Sequence, residues 1–330
     1  MEIGSFIELQ LPTGKEYFDS LVPANNIARL NSGRAGIWHA FRLTGCKAIW
    51  LPYYQCETVR DFLKFKNVTI KYYHIDREFK PIDIGQSEDE AVLLVNYYGI
   101  MTYARMESLA EMYSHVIIDN SQAFFAQPLK DCFNVYSARK FMGVPDGAYV
   151  IGSNSSKYID EYQQGFSSDT SLFLLQRIEY GCEGKTYSSR MVNEERIDHE
   201  DAMKMSVLTR RLLQATDYPD IKQKRIENFE EAKRLFSDVN KMKLENFCDE
   251  NVVPMVYPLL VESDELLPFM LSNKHFQGHW WNYITKEQPV NTFEYYISRY
   301  MIPITIDQRY NSEDIQYIGN IVYKYLDKNI

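Results

Sequence analysis

Four residues of this 330-residue chain, Asp119, Gln122, Ser137 and Lys140, combine side chains and spacing that could do chemistry together. They lie in one segment, HVIIDNSQAFFAQPLKDCFNVYSARKFMGVPDGAYVIG, residues 115–152. Asp119 follows three apolar residues, which places a carboxylate at the carboxyl end of a buried strand, where it needs a positive or hydrogen-bonding partner. Gln122 lies three residues further on. A second strand-like run, FNVYS, ends at Ser137, and Lys140 follows three residues later beside Arg139. Each residue also has an ordinary reading: Asp119 as an Asx turn or helix cap, Arg139 and Lys140 as a solvated basic pair. Their order is the informative part. An acid that keeps a pyridinium nitrogen protonated, a lysine that forms a Schiff base, and a hydroxyl with backbone amides for a phosphate are what pyridoxal 5'-phosphate (PLP) requires. The lysine amine must be deprotonated when it moves protons, and a neighbouring cation favours that state.

IIDNSQAF resembles the acidic strand-end motif of the sugar aminotransferase family named after DegT, DnrJ, EryC1 and StrS. SARKFMGVPDGAYV is similar to that family's lysine segment. The resemblance implies that Asp119 binds the pyridine nitrogen, Gln122 the 3′-oxygen and Ser137 the phosphate, with Lys140 as the Schiff-base lysine. NSGRAGIWHAFRLTG (31–45) resembles the early glycine turn that opens a helix, where the backbone amides of Gly33, Arg34 and Ala35 would cradle the phosphate. WLPYYQCETV (50–59) resembles the loop that supplies a side chain to the ring face. Cys56 falls where the family often carries a stacking aromatic, and Tyr53 or Tyr54 is the expected substitute. VNYYG (95–99) resembles the family's strand ending in an aromatic-glycine pair, and VYPLLVESDELLPFMLSNKHF with RYMIPITID resembles its small C-terminal domain.

Elements that could position these residues are legible from periodicity. Short β-rich runs at 47–51, 68–75, 91–99, 115–120, 133–137 and 148–152 alternate with amphipathic stretches at 33–43, 55–65 and 103–113. Such alternation predicts an α/β fold, a mainly parallel sheet flanked by helices, with ligands at the carboxyl ends of the strands. Residues 206–236 predict long helices, one of them bridging two domains. A β-like run at 251–263, a helix at 264–273, a strand at 301–307 and a terminal helix at 311–326, capped by Asn311 or Ser312, predict a small α+β domain. The expected division is a large PLP-binding α/β domain over 1–240 and a small C-terminal α+β domain over 241–330. With the resemblance, this is the PLP-dependent transferase fold type I, and active sites in that fold lie at a subunit interface, so a homodimer is expected.

Bulk properties exclude several classes. A formal net charge of −9 argues against nucleic acid or an anionic membrane as the main partner. Five widely spaced cysteines with no CxxC pair fit free thiols in a reducing compartment. The N-terminal segment has no apolar core of a signal peptide, and no apolar run approaches the roughly 20 residues of a membrane span. The expected location is the cytoplasm. The 25 tyrosines and 18 phenylalanines are spread along the chain and read mainly as core and interface. His39 reads as a packed histidine, and His275 with His279 as a weak metal pair, so no metal is expected. HWWNY (279–283) reads as core, interface or substrate entrance, and the charge run 222–234 as a solvated helix face with i,i+4 pairs.

The resemblance therefore implies an aminotransferase that moves an amino group from an amino acid such as glutamate to a keto-sugar. That sugar is expected to be nucleotide-linked, in surface-polysaccharide or related biosynthesis. Another PLP enzyme of the same fold, a lyase or amino-acid-modifying enzyme, and a non-catalytic regulator are the alternatives.

Overall fold

Apolar runs of five or six residues with no polar face can be buried only if both sides of the sheet are covered. The computed structural model describes residues 3–182 and 184–329 and shows that arrangement. Strands β1 (Ile27–Leu30), β2 (Ala48–Pro52), β3 (Thr69–Ile75), β4 (Pro81–Ile82), β5 (Glu90–Val95), β6 (Val116–Asn120), β7 (Phe133–Ser137) and β8 (Ala148–Ile151) form one sheet. Its order is β1-β8-β7-β6-β5-β2-β3-β4. The run from β3 through β2, β5 and β6 to β7 is parallel. β8 is antiparallel to both β7 and β1, so β1 runs with β7. Every residue of β5 and β6 is buried. Alternate residues serve opposite faces, with Ala91, Leu93 and Ile117 on one and Val92, Leu94 and Ile118 on the other.

Helices α1 (Gly33–Thr44), α2 (Glu57–Phe65) and α3 (Tyr103–Ala110) connect these strands. The expected helix at 55–65 begins only at Glu57, with Cys56 as its N-cap, and the one at 103–113 stops at Ala110. The expected strand at 91–99 ends at Val95, because Tyr98 and Gly99 take left-handed conformations (φ 59° and 70°) that turn the chain. β1 has no counterpart among the strands expected from the sequence; four residues are too few to show a period.

Beyond β8 the chain is helical, as expected for 156–245, in shorter pieces: α4 (Leu172–Tyr180), α5 (Thr186–His199), α6 (Val207–Gln214) and α7 (Tyr218–Phe236). The 206–236 stretch is two helices because Asp217 caps α7 through the Asp220 amide and Pro219 occupies its first turn. Tyr218 and Ile221 of α7 pack with Phe124 and Phe141, whereas Phe229, Ala232 and Phe236 pack with the C-terminal elements. Those elements are β9 (Val256–Leu260), α8 (Leu266–Ser272), α9 (Ile284–Glu287), α10 (Phe293–Tyr300), β10 (Met301–Thr305) and α11 (Ser312–Asn329), with β9 and β10 pairing antiparallel. Asn311 is the residue that caps α11, its Oδ1 accepting from the Glu313 and Asp314 amides.

Among the described residues no helix is long and apolar enough to cross a membrane, and no cluster of three or more His, Cys, Asp or Glu could hold a metal. His279 Nδ1 donates to the Met301 carbonyl instead. His39 is buried between the Tyr162 hydroxyl and the Ser155 carbonyl, and burial holds it below its ordinary range, so it is a neutral packed side chain. All five cysteines are free.

Candidate active site

Parallel pairing decides which loops meet. The carboxyl ends of β1, β2, β5, β6 and β7 share one edge of the sheet, so the loops after them converge there. Asp119 pairs in register with Val135, one strand over, which brings the Asp119 strand end beside the strand that leads to Ser137 and Lys140.

Asp119 is 7% exposed. Its Oδ1 accepts from the Ser121 amide at 2.9 Å, so it closes an Asx turn, the ordinary role open to it. Its Oδ2 receives only a long 3.4 Å contact from Gln55 Nε2, and the buried Gln55 Oε1 has no partner among the described residues. One oxygen thus shapes the turn while the other remains available for a ligand's N–H. Gln122 is buried, and its Oε1 accepts from the Tyr98 amide at 2.6 Å. Its Nε2 has no acceptor among the described residues and can donate to a ligand oxygen. Gly99 makes this turn possible: a Cβ there would lie 2.1 Å from the Gln122 carbonyl oxygen.

The glycine turn faces the same place. Ser32 caps α1 by accepting from the Ala35 amide at 3.3 Å, so that amide is already engaged. The amides of Gly33 and Arg34 belong to the first turn, where no intrahelical acceptor exists. A Cβ on Gly33 would meet Ser121 Oγ at 3.0 Å and Ser137 Cβ at 3.9 Å, so two buried serines stand against the helix N-terminus. An anion fits this cradle of amides, hydroxyls and helix dipole. The Arg34 side chain takes no part, since it bonds Asp198 and the Ile197 carbonyl on α5.

Lys140 ends a 3₁₀ turn, Ala138–Lys140, and is exposed. No described residue bonds its Nζ. The turn itself is held firmly: the Ala138 amide donates to the Gly147 carbonyl at 3.0 Å, and Arg139 is paired with Glu194 of α5 at 2.5 Å. Burial works against ionisation of Glu194, but Arg139 and Arg190 outweigh it and hold the carboxyl below its ordinary range. Arg139 is therefore not the free half of a solvated pair.

The loop after β2 departs most from expectation. Tyr54 is fully buried with its hydroxyl 2.6 Å from that of Tyr98 and its ring edge-on to Trp281. Tyr53 stacks on Tyr72, and Cys56 Sγ lies 3.1 Å from Thr58 Oγ1. The residue of this loop that reaches Asp119 is Gln55, which the sequence does not single out. Ser121 is the other addition. Trp280 and Trp281 pack on Tyr98 and Tyr54, which places HWWNY over these loops as packing.

Asp146 closes the lysine loop from within. It is fully buried, and burial pushes its carboxyl above the ordinary range, with Thr209, Ser206 and Arg196 opposing the rise. Neither oxygen makes a well-formed hydrogen bond among the described residues. The folded protein therefore favours the protonated form, so its stability is full below the ordinary carboxylate range and falls as pH rises through the raised value. Asp146→Asn is expected to be more stable than the parent at pH 7, with the difference shrinking as pH approaches 4. Thermal unfolding of both proteins across that range measures it; equal melting temperatures throughout would overturn it.

The fold, a mainly parallel sheet with the Lys140 turn at its carboxyl edge, is similar to that of solved aminotransferases. No family model and no curated protein matches the sequence. Solved structures do match. One is a DegT DnrJ EryC1 StrS aminotransferase from Brucella abortus, with TM-score 0.60, 10% identity, and coverage of 91% of this chain and 85% of that one. Another is NtdA from Bacillus subtilis with bound cofactor PMP, at TM-score 0.63 and 11% identity, covering 90% and 73%. A third is DesI in the presence of its TDP-sugar product, at TM-score 0.60 and 11% identity, covering 90% and 79%.

Proposed function

We propose that this chain is a PLP-dependent aminotransferase that transfers an amino group from an amino acid such as glutamate to a keto-sugar carried on a nucleotide. The observation that carries the reading is that Asp119, on β6, and the turn bearing Lys140, after β7, follow neighbouring parallel strands at one edge of the sheet, with an anion cradle at Gly33, Ser121 and Ser137. When bound, pyridoxal phosphate would supply the carbonyl that takes up the amino group and the ring that withdraws electrons. Lys140 would hold the cofactor covalently and move the proton between carbon centres. Asp119 would keep the ring nitrogen protonated through the oxygen not used by the Asx turn. The Gln122 amide would donate to the ring oxygen, and the Gly33 and Arg34 amides with the two serines would hold the phosphate. The sugar and its nucleotide rest on the sequence resemblance and on the similar structure of DesI in the presence of its TDP-sugar product.

The large unit would span 1–240 and the small one 241–330, joined through α7. A homodimer also belongs to this proposal. No residue of α4 is buried; Leu172, Leu175 and Ile178 of α4 are exposed, as are Tyr187, Met191 and Val192 of α5, the helix it packs against. An apolar face of this kind on adjacent helices marks a contact surface, and light scattering tests it.

The deciding experiment is the absorption spectrum of the purified protein with PLP. A visible band that borohydride abolishes, leaving a reduced adduct mapped to Lys140, supports the enzyme. Conversion to the pyridoxamine form on adding glutamate supports transamination over a lyase or an amino-acid-modifying reaction. No band and no adduct would leave the non-catalytic reading.

A further inference from the structure

The charge run 222–234 is not uniformly a solvated face. Lys224 pairs with Asp220 and Arg234 with Glu231 at the surface, but Arg225 is only 2% exposed. Among the described residues no carboxylate lies within salt-bridge distance of it. The nearby Asp307 is taken by Arg309 through two bonds of 2.7 Å. Burial pushes the Arg225 guanidinium down to about 10, with Asp307 opposing and Arg309 reinforcing that shift. A buried cation without an acid is expensive, so its other contacts matter.

Those contacts all lead to the site. The guanidinium carbon stands 4.4 Å from the ring centroid of Phe141, the residue after Lys140. Nε donates to Gln308 Oε1 at 3.1 Å, and Gln308 Nε2 donates to the Phe141 carbonyl at 2.7 Å. Nη1 donates to the Pro254 and Met255 carbonyls at 3.3 and 2.9 Å. The Met255 amide donates to the Tyr98 carbonyl at 2.8 Å, and the Tyr98 amide holds Gln122.

We propose that Arg225 is a positioning residue that locks the Lys140 turn and the Tyr98–Gln122 turn into one frame. The planar fork suits this role, because it can stack on Phe141 while donating in two directions, which an ammonium cannot do. The inference rests on the assignment of Lys140 as the cofactor lysine for its consequence, but not for the mechanical coupling itself.

The test uses three variants of the full chain: Arg225→Met, Arg225→Lys and Gln308→Leu, the last at a half-buried position that removes the bridge from Arg225 Nε to the Phe141 carbonyl and keeps the Pro254 and Met255 bonds. In cofactor-free protein, amide hydrogen exchange is expected to rise about 10-fold in both turns, 138–142 and 97–101, for Arg225→Met. Gln308→Leu is expected to raise it in 138–142 alone, and Arg225→Lys to give a smaller rise than Arg225→Met. β6 is expected to keep the parent's protection. With PLP, turnover is expected to fall about 10- to 100-fold with KM within about 2-fold, as displacement of a reacting group does. The pH midpoint of the visible band is expected to move up, since a cation beside the turn is lost.

Parental exchange in both turns for Arg225→Met and Gln308→Leu would overturn the proposal. So would a rise spread evenly over the sheet, which marks general destabilisation. If Arg225→Met does not fold, Gln308→Leu decides. A parent protein with no reducible adduct on Lys140 would sink the enzyme assignment, while the exchange result would still decide the coupling.

Discussion

Lys140→Ala is expected to lower amino-transfer turnover by at least about 10⁴-fold, the scale seen when a covalent nucleophile is removed. The expected loss is confined to chemistry. Lys140 is exposed at the end of a 3₁₀ turn and no described residue bonds its amine, so stability is expected to change by no more than about 0.5 kcal/mol. The borohydride adduct is expected to vanish with the activity, while PLP phosphate contacts persist and the variant still binds the cofactor reversibly. Lys140→Arg is expected to be as inactive, because a guanidinium stays protonated and cannot act as nucleophile or base. Single-turnover kinetics with glutamate and mass spectrometry of the reduced protein measure both effects. Retention of a reducible adduct in Lys140→Ala would move the cofactor to another lysine.

Asp119→Asn is expected to cost about 10²- to 10³-fold in turnover, comparable to removing one preorganised electrostatic partner of a reacting group. The substitution is chosen because Asn keeps the oxygen that accepts from the Ser121 amide, so the Asx turn survives. What disappears is the negative charge that would keep a ring nitrogen protonated. Asp119→Ala removes both. It also leaves the Ser121 amide and the Gln55 amide without an acceptor inside the protein, at a cost of about 1–3 kcal/mol for an unsatisfied buried group. Comparing the two variants separates the carboxylate's chemical and structural roles. Turnover at parental level in Asp119→Asn, with a loss only in Asp119→Ala, would reduce Asp119 to a turn-forming residue.

Much of the frame that holds these two residues was legible in the chain. Runs such as AVLLV and VII have no polar face, which demands a sheet covered on both sides, and their alternation with helices puts carboxyl ends on one edge. The α1 turn was equally legible, because Ser32 and Gly45 carry their signals as N-cap and left-handed C-cap within the local sequence. Boundaries were less so. The strand at 91–99 reads as continuous because the two tyrosines after Asn96 have strong β preference; the left-handed turn at Tyr98 is stabilised from outside, by Gln122 and Met255. Gln55 could not be singled out, since nothing in Pro-Tyr-Tyr-Gln-Cys tells which side chain will face a carboxylate sixty-four residues away. The two tyrosines beside it, expected near a ring, are instead drawn into aromatic packing with Tyr98, Trp281 and Tyr72.

Arg225 marks the limit most clearly. In KQKRIENFEEAKR it is one cation among several, and helical periodicity by itself leaves it in the solvated run. Its burial follows from what α7 is packed against: Phe141 from the lysine turn, Pro254 and Met255 from the lead into β9, and Gln308 from beyond β10. The sequence by itself determined the alternation of the central strands and helices and singled out Asp119, Gln122, Ser137 and Lys140 as candidates, because those follow from local pattern and motif. Only the tertiary structure decided which oxygen of Asp119 is free, which serines face Gly33 and which charge is buried behind Lys140. Those are properties of neighbours distant in the chain, and burial and hydrogen bonding depend on the neighbour rather than on the residue.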